Sequence, residues 1–296
     1  MNISVVIPTF RNHKQLVLNL IKNLPFLDYC QVIIVNDDPN QSIQKLINQF
    51  TKIILIENHT NLGFPGAVNI GVSNANNEFV MLLNDDVILR DDYFKKTIEE
   101  FSRNPSLFAV SFAQVEKDGI IGGKNILYYK NGFIMHNKAP NIIKGRTAWA
   151  EGGSMIFNKD KFIKLGGFDK IYSPFYWEDI DLSYRAWKAG YEIVFDPEIV
   201  VDHKHESTIG SNFSRTKINS IAYRNQLIFF WKNIDDSKMR ISHISAVLRQ
   251  FMIGLIKLNS VYIKGSISAI IKFISNPKNK KLSVRSDYEV LEIFKK

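Results

Sequence analysis

The stretch Val80–Leu89, VMLLNDDVIL, decides the fold. Apolar residues run to Leu83, Asn84-Asp85-Asp86 cut the run, and Val87–Leu89 resumes it. A short apolar run stopped by acids reads as a buried strand ending at the edge of a sheet. Open α/β sheets bind ligands in the crevice outside such strand ends. Two adjacent carboxylates repel one another there, and a hard divalent cation carrying phosphate oxygens resolves the repulsion. A polar turn that merely caps the strand is the alternative reading.

Outward from this stretch, Ile3–Pro8, Gln31–Asn36, Lys52–Glu57 and Leu107–Phe112 read as further strands. Helical spacing falls over Lys14–Leu24, with Asn12 as cap and Pro25 as stop, and over Ser42–Phe50, Ala67–Ala75 and Asp91–Phe101. Strands alternating with helices predict an α/β fold with a mostly parallel, doubly wound central sheet. The fingerprint G-x-G-x-x-G is absent after the first strand, where Pro8–Asn12 stands, which argues against a nicotinamide or flavin enzyme. Glycines between 114 and 148 suggest hairpins. Trp149–Asn158 reads as a strand interrupted at Gly152-Gly153, where something approaches the backbone closely. Asp160–Leu165 is a short helix, Glu178-Asp179-Ile180-Asp181 opens another, and Tyr191–Phe195 is a last strand.

The 296 residues, 45% hydrophobic and 23% charged, suffice for one large domain or a domain with an appendage. The single cysteine, Cys30, rules out an internal disulfide and fits a reducing compartment. MNISVVIPTF starts a strand at once and has no signal-peptide pattern. The net charge of +9 is uneven: between Lys238 and Ser286 there is no Asp or Glu. Within Ile241–Ile274, Arg249, Lys257, Lys264 and Lys272 recur near every second helical turn, on a side opposite Met252, Leu255, Ile263, Ile267 and Ile270. The lysines interrupt each apolar run before the ~20 residues that a bilayer span needs. A helix lying in the interface of an anionic membrane fits this pattern, and a packed helix with a solvated basic face is the alternative. Gly254 and Gly265 are expected to mark helix breaks. The expected division is a catalytic unit over 1–212, with halves at about 1–113 and 114–212, and a basic helical region over 213–296.

Three acidic clusters end separate elements: Asp37-Asp38, Asp85-Asp86, and Glu178-Asp179 with Asp181. One sheet can bring all three to a single crevice. One acid can accept a hydrogen bond from a base edge, one can hold a metal on a diphosphate, and one can act as general base. The set suits transfer of a group from a nucleotide diphosphate.

The chain resembles glycosyltransferase family 2, the inverting enzymes of GT-A fold, over Ile3–Ser211. The likeness rests on Val5-Val6-Ile7-Pro8-Thr9-Phe10, Val35-Asn36-Asp37-Asp38, Asn61-Leu62-Gly63-Phe64-Pro65-Gly66-Ala67-Val68-Asn69, Leu83-Asn84-Asp85-Asp86, Leu165-Gly166-Gly167-Phe168-Asp169, Trp177-Glu178-Asp179-Ile180-Asp181-Leu182 and Val201-Asp202-His203. The Asn61–Asn69 form is most similar to the rhamnosyltransferase-like branch, which builds bacterial surface polysaccharides. The resemblance implies that Pro8, Thr9 and Arg11 line the nucleoside pocket. Asp37 would bind the pyrimidine edge. Asn61, Gly63 and Asn69 would lie by the nucleotide and donor sugar. Asn84, Asp85 and Asp86 stand at the family's Asp-x-Asp motif, with Asp86 and His203 holding Mg²⁺ or Mn²⁺ and Asp179 as catalytic base. Asn36 and Asn84 each replace an acid of the usual pattern.

Rival roles stay open on the residues themselves. Asp179 and Asp181 could be favoured at a helix start by its dipole alone. Asp181 could pair with Arg185. Glu178 or Asp181 could serve as base in place of Asp179, and His205 in place of His203. Trp149, Glu151 and Trp177 are candidates for an acceptor wall, with packing as the alternative for both tryptophans. His13, His59, His136 and His243 read as surface or structural.

The expected function is an inverting transfer of a sugar from a nucleotide-diphospho-sugar to a glycan or lipid-linked acceptor. The lead donor is dTDP-rhamnose, then a UDP-hexose. The expected place is the inner face of the cell membrane, with the C-terminal helices on the anionic surface and no nucleic-acid partner. The oligomeric state is open. Two rivals remain: a sugar-1-phosphate nucleotidyltransferase, whose Gly-rich loop is missing at Pro8–Asn12, and an inactive scaffold that binds membrane or nucleic acid.

Overall fold

The computed structural model describes residues 3–116, 119–203, 213–276 and 282–295. Strands β1 (Ile3–Thr9), β2 (Gln31–Asn36), β3 (Ile53–Glu57) and β4 (Phe79–Leu83) form a parallel block in the order β3-β2-β1-β4. Their side chains divide with period two. Val6, Ile33, Val35, Val80 and Leu82 enter one apolar layer, and Val5, Ile7, Val32, Ile34, Met81 and Leu83 the other. A strand covered on both faces needs this double apolar pattern. Helix α1 (His13–Asn23) and the short α2 (Gln44–Ile47) pack on the second layer, and α3 (Gly63–Ser73) on the first.

The expected helix over Ser42–Phe50 thus shrinks to one turn. The expected Ala67 start of the next helix moves back to Gly63. Asp37, at the end of β2, explains the shift: its carboxylate accepts from Leu62 N at 2.9 Å and Gly63 N at 2.8 Å. A carboxylate from another strand therefore satisfies N–H groups at the helix start that the sequence leaves uncapped.

Beyond β5 (Val87–Leu89) and α4 (Thr97–Arg103), the sheet continues through β6 (Leu107–Val115) and the short β7 (Ile121–Gly122). Next come the hairpin β8 (Asn125–Lys130) and β9 (Phe133–Lys138), the short β10 (Gly145–Arg146) and β11 (Ser154–Asn158). The hairpin turns at Asn131-Gly132, both at positive φ, as a two-residue turn requires. β11 inserts antiparallel between β4 and β6. Helices α5 (Lys159–Lys164) and α6 (Glu178–Lys188) follow, and β12 (Glu192–His203) pairs parallel to β6. The expected strand Tyr191–Phe195 is only the first part of β12. Its pairing shifts register between Asp196 and Val200, around Pro197, and then resumes to His203. Pro is tolerated at such a bulge.

Helices α7 (Arg215–Asn233), α8 (Ser237–Ile256), α9 (Ser260–Ile274) and α10 (Asp287–Glu292) complete the described chain. α7 buries Leu227, Ile228, Phe229 and Phe230 in the same layer as Trp177 and Tyr184 of the preceding unit. The core is therefore continuous across the expected 212/213 division. Asp287 of α10 accepts from Tyr184 Oη and Lys188 Nζ, both at 2.8 Å, which straps α10 to α6.

Two expectations for this region change. The break lies at 257–259, where Leu258 has φ +49, and not at Gly254 or Gly265, which both stand inside helices. A Cβ on Gly265 would stand 2.7 Å from the Tyr223 ring, so glycine there lets α9 pack closely on α7. The four basic residues do not share one side. Lys272 points inward and donates to Ile171 O at 2.9 Å and Ser173 O at 2.7 Å. His205, Lys278, Lys280 and Lys281 lie outside the described residues.

Candidate active site

The parallel strands end side by side, and their polar termini are tied to one another. Asp37 N donates to Thr9 O at 2.9 Å. Thr9 Oγ1 donates to Asp85 Oδ2 at 2.6 Å, and Asn12 Nδ2 to Asp85 Oδ1 at 2.9 Å. Asn12 precedes α1 but makes no side-chain cap; its amide is spent on Asp85 instead. Asp85 is buried, and burial pushes its carboxyl up to about 7, with the neighbouring Asp86 adding to the rise against the bonds from Thr9 and Asn12.

Asp37 is also buried, and its carboxylate is well occupied: Asn58 Nδ2 and Leu62 N reach Oδ1 at 2.8 and 2.9 Å, and Gly63 N reaches Oδ2 at 2.8 Å. Burial raises its pKa despite these bonds. Asp38 goes the other way. Burial acts to raise it, but hydrogen bonds from Asn40 and from Arg11 Nε at 3.0 Å win and lower it. Arg11 is exposed, at φ +55, over the Phe10 ring. Asn61 Nδ2 donates to Asp37 O at 3.2 Å. Gly63 has φ +71, and a Cβ on it would come within 3.1 Å of Ser173 Oγ and 3.2 Å of Pro174 Cα.

Across the crevice, Gly152 and Gly153 stand between two chemical groups. A Cβ on Gly152 would meet the Phe64 ring at 3.3 Å and Asp179 Cβ at 3.6 Å, and one on Gly153 would meet Asn84 Nδ2 at 3.2 Å and His203 Cε1 at 3.3 Å. Gly153 O accepts from Asn84 N at 2.9 Å. The close approach expected at this pair is therefore present, although β11 begins only at Ser154.

Asp179, at the start of α6, accepts from Gly152 N at 3.2 Å and Ile180 N at 2.8 Å. Burial raises its pKa against these bonds. Glu151 sits beside it. Burial, then the Asp179 charge, push its carboxyl up to about 7 against a hydrogen bond from Asn125 Nδ2 at 2.7 Å. Glu178 is buried with Oε2 unpartnered, and burial with Asp179 holds it well above the usual carboxylate range.

Asp181, the rival base, faces the interior. It is fully buried, accepts from Tyr172 Oη at 2.9 Å and Asn233 Nδ2 at 2.7 Å, and pairs with Arg185 at 2.6 Å. Arg185 also donates to Leu165 O and Gly167 O, so this pair anchors α6 to the turn before it.

The Asp86–His203 pair carries the metal question. His203 Nε2 lies 3.3 Å from Asp86 Oδ1, and Nδ1 lies 2.7 Å from Gln114 Oε1. In the tautomer whose Nδ1–H donates to Gln114 Oε1, Nε2 turns a lone pair towards Asp86 Oδ1, a carboxylate oxygen with no hydrogen-bond partner. Two buried acceptors face to face suit a cation. Among the described residues no group of three or more His, Cys, Asp or Glu side chains that could hold a metal is assembled. Such a pair would suit a divalent cation that takes one or two protein ligands and completes its shell with substrate phosphates. Gln114 is the partner that orients the histidine.

Several expected residues lie elsewhere. Pro8 is buried within β1 opposite Val35. Asn69 spends its amide on Phe168, donating to its O at 2.8 Å and accepting from its N at 2.9 Å. Trp149 and Trp177 are only 6% and 4% exposed, so the expected stacking wall is closed. The edge-on His136 ring lies 5.5 Å from Trp149 and 5.3 Å from Trp177, and Phe229 of α7 packs 5.1 Å from Trp177. Asn12, Asn58 and Gln114 were not foreseen. Asn12 had a signal in its place beside a strand end, whereas Gln114 had none.

The loop before α6 is held from the C-terminal helices. Tyr176 and Trp177 both adopt positive φ, 72 and 77, a conformation that side-chain-bearing residues keep only when their surroundings fix it. Asn225 Nδ2 reaches Tyr172 O, Phe175 O and Tyr176 O at 2.8–2.9 Å. Arg224 Nη2 reaches Ser173 O at 2.7 Å, beside Lys272.

Comparison with known proteins gives one family: the model described as Glycosyl transferase family 2 matches residues 4–166. A poly-beta-1,6-N-acetyl-D-glucosamine synthase of Staphylococcus epidermidis is 26% identical over 236 residues, covering 77% of this chain and 56% of that protein. The chain thus spans about half the length of the curated relatives it matches. Among solved structures, S. aureus TarS 1–349 in complex with UDP-GlcNAc superposes with a TM-score of 0.61 at 13% identity, over 92% of this chain and 81% of that one. GalNAc-T7 with UDP, GalNAc and Mn²⁺ gives 0.61 at 15% identity, over 83% and 54%. At these identities the structures bear on the fold, which is the GT-A fold.

Proposed function

The chain belongs to glycosyl transferase family 2, and on that premise we propose that it moves a sugar from a nucleotide-diphospho-sugar to a growing glycan or lipid-linked acceptor, with inversion. The observation that carries this reading is Asp179 at Gly152, one residue along the chain from the Gly153 that packs on Asn84 and His203. A base and a diphosphate-holding pair then flank one dipeptide.

In this reading Asp179 takes the proton of an acceptor hydroxyl as that oxygen attacks the anomeric carbon. The bond from that carbon to the diphosphate oxygen breaks on the opposite face, and the configuration inverts. A positioned base contributes roughly 10²–10⁴-fold. Asp86 and His203 would hold Mg²⁺ or Mn²⁺, which offsets charge on the departing diphosphate. Asp37, Asn58 and Asn61 fix the loop beneath the nucleotide, and alignment of the two sugars supplies much of the remaining rate.

A UDP-sugar stands ahead of dTDP-rhamnose as donor, because a related chain is named a poly-N-acetylglucosamine synthase and a GT-A neighbour holds UDP-GlcNAc. On a lipid-linked acceptor the enzyme would work at the inner face of the membrane.

The test follows release of nucleotide diphosphate from a panel of UDP-, dTDP- and GDP-sugars, with Mg²⁺, Mn²⁺ or chelator, in wild type and Asp179→Asn. Metal-dependent release from one donor, lost in the variant while donor binding persists, is the expected result. No release from any donor in the presence of membrane extract would overturn it.

A further inference from the structure

The surface that α8 and α9 turn away from the molecule is apolar. On α8, His243, Ala246 and Gly254 face inward. Ile241, Ile244, Leu248, Met252 and Leu255 stand exposed on the opposite side, Leu248 at 62%. At about 100° per residue these five fall within roughly 80° of one another, a single stripe. α9 repeats the pattern with Ile267, Ile270, Ile271 and Ile274, the last 75% exposed.

Basic residues flank these stripes. Lys238, Arg240 and Arg249 border the first and Lys264 the second, all exposed, and no Asp or Glu occurs between Lys238 and Ser286. An exposed apolar surface of this extent marks an interaction site.

We infer that α8 and α9 form a lipid-docking surface that seats in the headgroup–acyl boundary of an anionic membrane. Charge decides the occupant. A second copy meeting this face about a two-fold axis would set basic flank against basic flank. A nucleic acid would meet the cations but leave the aliphatic stripe uncovered. An anionic bilayer surface takes both, with the side chains in the acyl boundary and the ammonium and guanidinium groups among the headgroups. Among the described residues no helix is long and apolar enough to cross a membrane, so the stripe lies along the surface. The inference is independent of the sugar transferred. It has a structural corollary, because α9 carries the isoleucine stripe on one side and on the other Lys272, which grips the carbonyls of Ile171 and Ser173. The docked helix is thus in direct contact with the loop that leads to Asp179.

The experiment is co-sedimentation of the full chain with vesicles of phosphatidylcholine alone and of phosphatidylcholine mixed with phosphatidylglycerol. Binding to the mixed vesicles is expected to be about tenfold tighter or more. The double variant Leu248→Glu/Ile271→Glu is expected to lose about tenfold or more of it, with thermal unfolding and donor hydrolysis in solution unchanged. Should that variant fail to fold, Lys238→Gln/Arg249→Gln/Lys264→Gln is expected to remove the preference for anionic vesicles and leave the fold intact.

Four results would each overturn the inference. These are no vesicle binding, binding undiminished by the apolar variant, a concentration-dependent dimer that the apolar variant dissociates, and tighter binding to RNA than to vesicles.

Discussion

Replacing Asp37 with alanine tests how the nucleotide loop is held. The carboxylate is the acceptor for Asn58 Nδ2 at 2.8 Å, Leu62 N at 2.9 Å and Gly63 N at 2.8 Å. Asn58 and Gly63 are buried, so water does not replace the lost acceptor there, while Leu62 is half-buried. An orphaned buried donor costs about 1–3 kcal/mol. Two full penalties and about half of one sum to roughly 2.5–7.5 kcal/mol, and relief from burying a charged carboxylate offsets part of this. A net loss of about 3 kcal/mol is expected. With an unfolding entropy of about 2 cal/mol/K per residue over 296 residues, this lowers Tm by about 5 °C. Asp37→Asn keeps an oxygen for Asn58 and Leu62 but turns an amide hydrogen towards Gly63 N–H, and is expected to lose about half as much. The assay is urea unfolding beside binding of UDP measured by calorimetry. An alanine variant within 1 kcal/mol of wild type would refute the reasoning about the loop. A variant of full stability that no longer binds UDP would mean that Asp37 serves the base edge and not the loop.

The pH profile of kcat/KM is expected to fall on the acid side above the ordinary carboxylate range. Burial raises the Asp179 pKa, and protonation as pH drops removes the proposed base; a limb near pH 4, where a free aspartate titrates, would contradict this. Glu151→Gln, which keeps an oxygen for Asn125, is expected to retain that limb and to lose the part of an inflection near pH 7 that Glu151 contributes, leaving the part due to Asp85. Gln114→Leu frees His203 from its 2.7 Å partner and is expected to raise the Mn²⁺ concentration for half-maximal activity about 10–100-fold with the fold intact. Asn225→Ala removes the donor shared by three carbonyls of the 172–176 segment and is expected to lower kcat more than it changes donor affinity; equal loss of both would tie Asn225 to the donor side instead.

The parallel half of the sheet was legible because β1, β2 and β4 are buried on both faces and each apolar run gives way to polar residues, which gives each a sharp boundary in the sequence. Glu178-Asp179-Ile180-Asp181 was legible as a helix start, but which acid faces the crevice was not. That depends on Tyr172, Arg185 and Asn233 claiming Asp181, and Asn233 lies on a helix 52 positions away. The length of β12 was hidden because a bulge absorbs Pro197, which in a flat strand would end the pairing. For Trp149 and Trp177 the sequence left an acceptor wall and packing both open, because it carries no sign of the His136 ring beside both or of Phe229 against Trp177. Lys272 read as surface charge because helical period alone does not tell which neighbour each side meets; burial, with Arg224 beside it, brings that amine down to about 8.

The strap from α10 to α6 has a consequence during synthesis. Asp287 reaches Tyr184 across 103 residues of chain. At roughly 5–20 residues per second, the ribosome delivers that partner about 5–20 s after α6 has emerged. Until then Tyr184 lacks its Asp287 partner, and Lys188 has only Asp235, 3.7 Å away, once the chain after α7 has emerged. The strap on the helix that bears Asp179 therefore closes late in translation, after every acid of the candidate site and most of their hydrogen-bond partners have been made.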